Sequence, residues 1–190
     1  SNALHCAQRL RDGTLRPYFV GPMARYNLSF AQLSPLTQQV ARELHFDRQV
    51  KNPFQSIVVR ALELVYACDE ALRVVTEYEP SGPAFAEVPA TALREGAADR
   101  VGMACTEAPR GLLYHRYAVR ADGSISEAKI VPPTSQNQKT IEQDLRSFVA
   151  AQLHLPRPEL VHRCEQVVRN YDPCISCATH FLTLSVHDLD

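Results

Sequence analysis

The chain has 190 residues, which is long enough for one domain with a substantial hydrophobic core. Its 45% hydrophobic and 22% charged residues are ordinary for a globular protein, and its formal net charge of −1 gives no electrostatic basis for binding nucleic acid or an anionic membrane. With no long apolar run and no visible secretory signal, we expect a cytoplasmic protein without membrane insertion. Six cysteines in such a chain favour reduced thiols or metal ligands over a disulfide scaffold.

The N-terminal thirty residues carry the weakest signals. Ser1-Asn2-Ala3 is typical of the remnant of a cleaved expression tag, so a single domain is expected over residues 4–190. Residues 11–14 read as a turn between short extended pieces. The apolar stretch from Tyr18 to Asn27 is interrupted by a Gly-Pro pair, which predicts a loop packed on the core.

Two helices are predicted next. Ser34-Pro35 begins a short one, because serine caps helices and proline fits their first position; Leu36, Val40 and Leu44 are predicted to face inward. Asn52-Pro53 begins a long helix over about 53–78, ended by Glu79-Pro80. Apolar residues recurring every three or four positions predict its buried stripe: Phe54, Val58, Ala61, Val65, Cys68, Leu72 and Val75. Cys68 is therefore predicted to be a buried structural thiol.

A loop over 80–98, with one helical turn near 90–94, is predicted to lead into a small antiparallel sheet at about 101–131. Its strands are Val101–Thr106, Leu112–Arg120 and Ser124–Val131, with Asp122-Gly123 as a hairpin turn and Pro132-Pro133 as the stop. Two helices follow, one capped by Asn137 and one over Pro156–Asn170. The fold class predicted is α+β and predominantly α-helical, with helices packed around the long central helix.

The segment from Tyr171 to His180 contains the only Cys-x-x-Cys pair in the sequence, Cys174 and Cys177. Asp172 is a predicted N-cap and the following proline fits the first helical position. The two thiols then lie one turn apart at a helix N-terminus, whose dipole favours the thiolate and therefore metal binding.

Several kinds of site are compatible with this pair. A thioredoxin-like redox pair is disfavoured because a helix, and not a strand, precedes the motif. A zinc site completed by His162 and Cys164 is disfavoured, because side chains two positions apart on a helix point to different faces. Half of a four-thiolate site and an inert pair in an apolar turn both stay open on spacing alone.

A second group of residues precedes the hairpin, where Arg110 lies in a Pro-Arg-Gly turn. Its guanidinium is always cationic and offers a rigid fork of donors. Such a turn can hold the guanidinium over a site; the alternative is a solvated surface arginine.

Several motifs, taken in this order, resemble the C-terminal part of the large, catalytic subunit of nickel–iron hydrogenases. They are Val20-Gly-Pro-Met-Ala-Arg25 with Asn27, Glu107-Ala-Pro-Arg-Gly-Leu-Leu-Tyr-His115, the Gly123 turn, Ile130-Val-Pro-Pro-Thr134 with Asn137, and Asp172-Pro-Cys-Ile-Ser-Cys-Ala-Thr-His180. The resemblance runs from about Tyr18 to His180. The wording of the last two motifs is nearest to the cytosolic branch that uses NAD(P) or similar carriers.

This resemblance implies a set of metal ligands. Nickel in that family is held by two Cys-x-x-Cys pairs, and one cysteine of each pair bridges to an iron that carries cyanide and carbonyl ligands. Cys174 would be a terminal nickel ligand and Cys177 a bridge, a role that suits soft thiolates. His180 would bind a magnesium-like ion away from the active metals.

The resemblance also implies catalytic residues. Arg110 would lie above the open nickel–iron position and act as, or position, the base that takes a proton from dihydrogen. Asp172 and Pro109 would belong to the same group, with Asp172 orienting Arg110. Thr134 is the candidate donor to an iron-bound cyanide.

The family's N-terminal Cys-x-x-Cys pair is absent from this sequence, so we expect a C-terminal portion of a larger subunit that is inactive and metal-free by itself. The implied partners are the missing N-terminal half, an iron–sulfur small subunit, a maturation endopeptidase that removes residues 181–190, and nickel chaperones. Residues 181–190 read equally well as a short natural terminus. Apolar faces left uncovered would favour a homodimer of the chain. The alternative from another class is a non-catalytic zinc-binding or assembly module that uses Cys174 and Cys177.

Overall fold

The computed structural model describes residues 6–80, 82, 83, 85, 87 and 99–174. Five α-helices and five strands lie within these ranges: β1 (Gln8–Arg9), β2 (Leu15–Arg16), α1 (Pro22–Ser29), α2 (Pro35–Glu43), α3 (Ser56–Glu77), β3 (Arg100–Ala108), β4 (Gly111–Val119), β5 (Ile125–Val131), α4 (Pro133–Gln152) and α5 (Arg157–Arg169). The predicted fold class is confirmed: the protein is predominantly helical α+β, with a long helix and a small antiparallel sheet at residues 100–131. Strands β1 and β2 form a second, two-stranded sheet. None of the described helices is long and apolar enough to span a membrane. The helical turn predicted near 90–94 lies outside the described residues.

Strands β3, β4 and β5 form an antiparallel meander in that order. The predicted Asp-Gly hairpin is confirmed: the turn closes with Arg120 N–H donating to the Ser124 carbonyl at 2.8 Å, and Gly123 has φ of 86°. At the other end of the sheet, Ala108 pairs with Gly111, so that Pro109 and Arg110 form a tight turn between β3 and β4. The meander thus presents Arg110 at its edge.

The prediction of a loop from Tyr18 to Asn27 was wrong, because α1 occupies residues 22–29. Gly21 precedes the helix with φ of 109°, and Pro22 fits its first position. The helix is too short to show clear periodicity, and only Met23 and Tyr26 are buried in it. The side chain of Asn27 hydrogen-bonds both the N–H and the carbonyl of Val50, each at 2.7 Å, which ties the helix to the chain after α2.

The buried faces of α2 and α3 are rotated from those predicted. In α2 the cap by Ser34 is present, but the buried residues are Thr37 and Ala41, whereas Leu36 and Leu44 are exposed. In α3 the buried residues are Ser56, Val59 and Leu62. Five residues of the predicted α3 stripe are exposed: Phe54, Ala61, Cys68, Leu72 and Val75. Cys68 is therefore not a buried thiol.

The last two helices pack against each other. Ile141 of α4 and Leu160, Cys164 and Val167 of α5 are buried. The predicted cap at Asn137 was wrong, because α4 begins at Pro133 and Asn137 lies one turn inside it.

The Asn137 side chain has a different task. It accepts a hydrogen bond from the Val20 N–H at 2.7 Å and donates one to the Val20 carbonyl at 3.0 Å. The N-terminal part of α4 thereby holds the segment that precedes α1.

The main core lies between α1, α2 and α3; its buried members are Met23, Tyr26, Ala41, Val50, Val59 and Leu62. The N-terminal end of α3 also reaches the end of α5, where the Ser56 hydroxyl donates to the Asn170 carbonyl at 2.5 Å. Helix α3 therefore lies between the α1 segment and the residues that follow α5, which places its first turns beside the candidate site.

Candidate functional site

The turn that carries Arg110 is pressed against the backbone before α1. A Cβ on Gly21 would lie 2.5 Å from the Arg110 carbonyl oxygen, and a Cβ on Gly111 would lie 2.7 Å from the Gly21 nitrogen. Both glycines have positive φ, 109° and 131°, which other residues rarely adopt. The backbone of Arg110 is therefore fixed by contact with a segment almost ninety positions earlier in the sequence.

The structure brings Arg110 and Asp172 together. Arg110 Nε lies 3.2 Å from Asp172 Oδ2 and donates to the Asp172 backbone carbonyl at 2.9 Å. Among the described residues, the terminal nitrogens of Arg110 form no hydrogen bond. Since the two side chains remain 45% and 38% exposed, the ion pair adds little stability, and its main effect is to orient the Arg110 guanidinium. It fixes the Nε edge of the guanidinium, and no described residue binds the other edge.

A second arginine holds the same carboxylate. Arg60, on the second turn of α3, places Nη1 3.2 Å from Asp172 Oδ1. Its Nε is buried without a hydrogen-bond partner among the described residues. Sequence reasoning missed Arg60, although its position between the buried Val59 and Leu62 is a signal once the helix face is placed correctly.

Asp172 has a left-handed φ of 48°, and its carboxylate faces the two arginines. The residues after Cys174, over which the capped helix was predicted, lie outside the described residues. The N–H of Cys174 donates to Thr134 Oγ1 at 3.2 Å. Thr134 is 5% exposed in the first turn of α4, and a threonine hydroxyl can donate one hydrogen bond while it accepts another. Cys177 and His180 lie outside the described residues.

Pro109 takes part through its backbone. Its carbonyl accepts a hydrogen bond from Arg25 Nη2 at 2.7 Å, and the Ala108 carbonyl accepts one from Arg25 Nη1 at 3.0 Å. Arg25 is also paired with Glu63 and Glu107. Partial burial lowers the pKa of Arg25, but the hydrogen bonds to Glu63 and Glu107 outweigh burial, so that the pKa is raised and the charge is secure. Sequence reasoning included Arg25 in a motif but gave no role to it or to Glu63.

The described residues offer few ligands for a metal ion. No cluster of three or more His, Cys, Asp or Glu side chains occurs among the described residues. Cys174 is half-buried at the site and is a soft ligand of the type that suits nickel. Together with Cys177, it forms the chain's Cys-x-x-Cys pair, whose two thiols fit half of a four-thiolate set in donor type.

The chain is similar to known hydrogenases over most of its length. Residues 14–180 match the family model of nickel-dependent hydrogenases. The sulfhydrogenase 1 subunit alpha of Pyrococcus furiosus is 32% identical over 174 residues, with 89% of this chain and 38% of that protein covered. The NAD-reducing hydrogenase HoxS subunit beta of Cupriavidus necator is 29% identical over 169 residues, with 86% of this chain and 34% of that protein covered.

A solved structure of an NAD+-reducing NiFe hydrogenase in the H2-reduced state shares the fold. Its TM-score is 0.66 at 23% identity, and the match covers 90% of this chain and 37% of that one. The chain belongs to the nickel-dependent hydrogenase family, because the family model spans most of its length. It spans less than two fifths of the length of these relatives.

Proposed function

We propose that this chain is the C-terminal part of a hydrogenase large subunit, and that it supplies half of the metal thiolates and the arginine that assists the splitting of dihydrogen. The observation that carries the proposal is the position of Arg110. Its guanidinium is fixed on Asp172, two residues before Cys174. Family membership and the Cys-x-x-Cys motif support the same assignment.

Cys174 would be a terminal nickel ligand, Cys177 would bridge nickel to an iron with cyanide and carbonyl ligands, and His180 would bind a magnesium-like ion. When bound, the nickel–iron centre would supply the Lewis-acid site at which dihydrogen is polarised. The thiolate of Cys174 needs a fixed direction to act as a ligand, and the hydrogen bond from its N–H to Thr134 restrains its backbone. The Thr134 hydroxyl proton would be donated to an iron-bound cyanide.

Arg110 would act as, or position, the group that takes the proton from dihydrogen. Asp172 holds Nε of Arg110, and the terminal N–H groups of Arg110 lie at the other end of the same guanidinium. Asp172 would keep the guanidinium plane in one orientation, and Arg60 would hold the Asp172 carboxylate from its other oxygen. Pre-set donors of this kind act without reorganisation during the reaction.

The complete enzyme would need parts beyond these residues. A second Cys-x-x-Cys pair, in the rest of the same subunit, would complete the nickel site, so that the 190-residue chain alone is inactive and holds no nickel–iron centre. Electrons would leave through an iron–sulfur small subunit. Nickel chaperones and an endopeptidase that removes residues 181–190 would act during maturation.

Substitution of Arg110 in the complete subunit tests the proposal. Arg110→Lys keeps a positive charge but loses the planar fork, so hydrogen-dependent dye reduction should fall about 100-fold or more while the nickel content stays unchanged. Arg120→Lys is the matched control, because Arg120 lies in the exposed turn between β4 and β5. Full activity of Arg110→Lys, or a wild-type complete subunit that binds nickel and does not consume dihydrogen, would contradict the proposal.

A further inference from the structure

Arg25 is the most fully bonded side chain near the site. Its Nε and Nη2 each donate to a Glu63 oxygen at 2.8 Å, and Nη1 donates to Glu107 at 2.5 Å. The remaining two protons go to the Ala108 and Pro109 carbonyls. All five N–H donors of the guanidinium are therefore used, two of them on the backbone directly before Arg110.

These bonds act on the peptide that leads into Arg110. The Pro109 carbonyl belongs to the same peptide plane as the Arg110 nitrogen, so the hydrogen bond from Arg25 fixes the orientation of that plane. Arg25 and Glu63 are 27% and 22% exposed, so their bidentate pair is partly shielded from water.

The anchor of this arrangement is a single turn of α3. Glu63 lies three residues after Arg60, and residues at this spacing share a face of a helix. Glu63 holds Arg25, which holds the backbone before Arg110; Arg60 holds Asp172, which holds the side chain of Arg110. One helical turn thus restrains Arg110 at both its backbone and its guanidinium.

We propose that Arg25, anchored by Glu63, is a positioning residue that acts through Arg110. Its catalytic consequence rests on the proposed function, whereas its effect on the turn does not. A lysine at position 25 cannot replace it, because an ammonium group has three protons and cannot bridge two carboxylates and two carbonyls in one plane.

The first experiment measures the turn directly, by hydrogen exchange of the complete subunit with Arg25→Met and with Glu63→Gln. Glu63→Gln keeps the size of the side chain and covers the case in which Arg25→Met fails to fold. Both variants should speed exchange several-fold in peptides over residues 107–112. Arg73→Met, which removes an exposed arginine from two glutamates on the same helix, should leave those peptides unchanged. Unchanged exchange at 107–112 in both variants would overturn the proposal.

The second experiment separates positioning from general stabilisation. Arg25→Met should lower kcat about 10- to 100-fold with nickel content and KM for dihydrogen unchanged, and Arg25→Lys should not restore it. In an Arg110→Lys background the same substitution should cause no further loss, because the residue it positions is gone. Losses that multiply in the double variant would overturn the proposal. A wild-type subunit that binds nickel but lacks activity would refute the proposed function alone, and the exchange result would still decide the effect of Arg25.

Discussion

At the scale of single residues, Gly111 shows how closely two distant segments meet. It needs both its φ of 131° and its lack of a side chain, because a Cβ there would lie 2.6 Å from Val20 Cγ2 and 2.7 Å from the Gly21 nitrogen. Two of the three nearest atoms are backbone, the Gly21 nitrogen at 2.7 Å and the Val20 carbonyl carbon at 2.9 Å, and backbone cannot move aside as a flexible side chain would. The identity of this residue is therefore set by a tertiary contact and not by its turn alone.

Gly111→Ala tests that contact. It should destabilise the chain by about 1–3 kcal/mol more than Gly123→Ala, since overpacking adds to backbone strain. Gly123 is the matched control, with a positive φ of 86° and nothing within 4 Å of its Cβ position. The measurement is the free energy of unfolding in urea. Equal losses in the two variants would show that the segments do not approach this closely.

Tyr171 gives the chain a pH dependence in the alkaline range. Burial raises the pKa of its phenol above the ordinary value of 10.0, and the hydrogen bond to Asp144 raises the pKa further. The folded state therefore keeps the proton when the unfolded state loses it. The stability from this group is fully present below pH 10.0 and is lost as the pH rises from there towards the folded pKa.

Tyr171→Phe should therefore be less stable than the wild type near neutral pH, because it lacks the bond to Asp144, and should lose less stability above pH 10.0. The free energy of unfolding measured across this range tests the expectation. Tyr78→Phe is a suitable control, because Tyr78 is 69% exposed. Parallel pH profiles of Tyr171→Phe and the wild type would contradict it.

At the scale of elements, helix starts follow local chemistry. Ser34 Oγ accepts a hydrogen bond from the Thr37 N–H at 3.3 Å and lies 2.9 Å from the Thr37 hydroxyl. Thr37 is fully buried, so its polar groups have few other partners. Capping therefore also satisfies a buried hydroxyl.

Ser34→Ala should lower the stability of the chain by about 1–2 kcal/mol, from the loss of the cap and of the partner for Thr37. Ser29→Ala is the matched control, because Ser29 precedes a 3-10 helix without forming a side-chain cap. Thermal or urea unfolding provides the measurement. If the two substitutions cost the same, the cap contributes nothing.

At the scale of the whole molecule, the proposed function makes nickel binding depend on thiolates outside the 190-residue chain. The chain contains one Cys-x-x-Cys pair and spans 34–38% of its curated relatives HoxS subunit beta and sulfhydrogenase 1 subunit alpha. We predict that elemental analysis finds nickel in the complete, matured subunit and far less than one nickel per 190-residue chain.

Within the complete subunit, Cys174→Ala should abolish nickel binding, because the site loses one of its thiolates. Cys68→Ala should leave it intact, since Cys68 is exposed on α3, away from the candidate site. Stoichiometric nickel and iron in the 190-residue chain would contradict the division of the site between two parts of the subunit.

The sequence by itself determined the elements whose signals are local. The Asp122-Gly123 turn, the Ser34 cap and the long helix are as predicted, because turn and capping preferences depend on neighbouring residues. The motifs also identified Arg110, Asp172 and Cys174, which the structure brings to one place.

Only the tertiary structure decided which faces are buried and what holds the site. The apolar stripe of α3 extends to Leu72 and Val75, yet no described residue covers them and both are exposed. Burial depends on what packs against a helix and not on the periodicity of the helix alone. Until the buried face of α3 is known, Arg60 and Glu63 look like ordinary charged helix residues in the sequence. Their roles arise because folding places Asp172 and Arg25 beside one turn of α3, and such long-range contacts are set by packing of the whole chain.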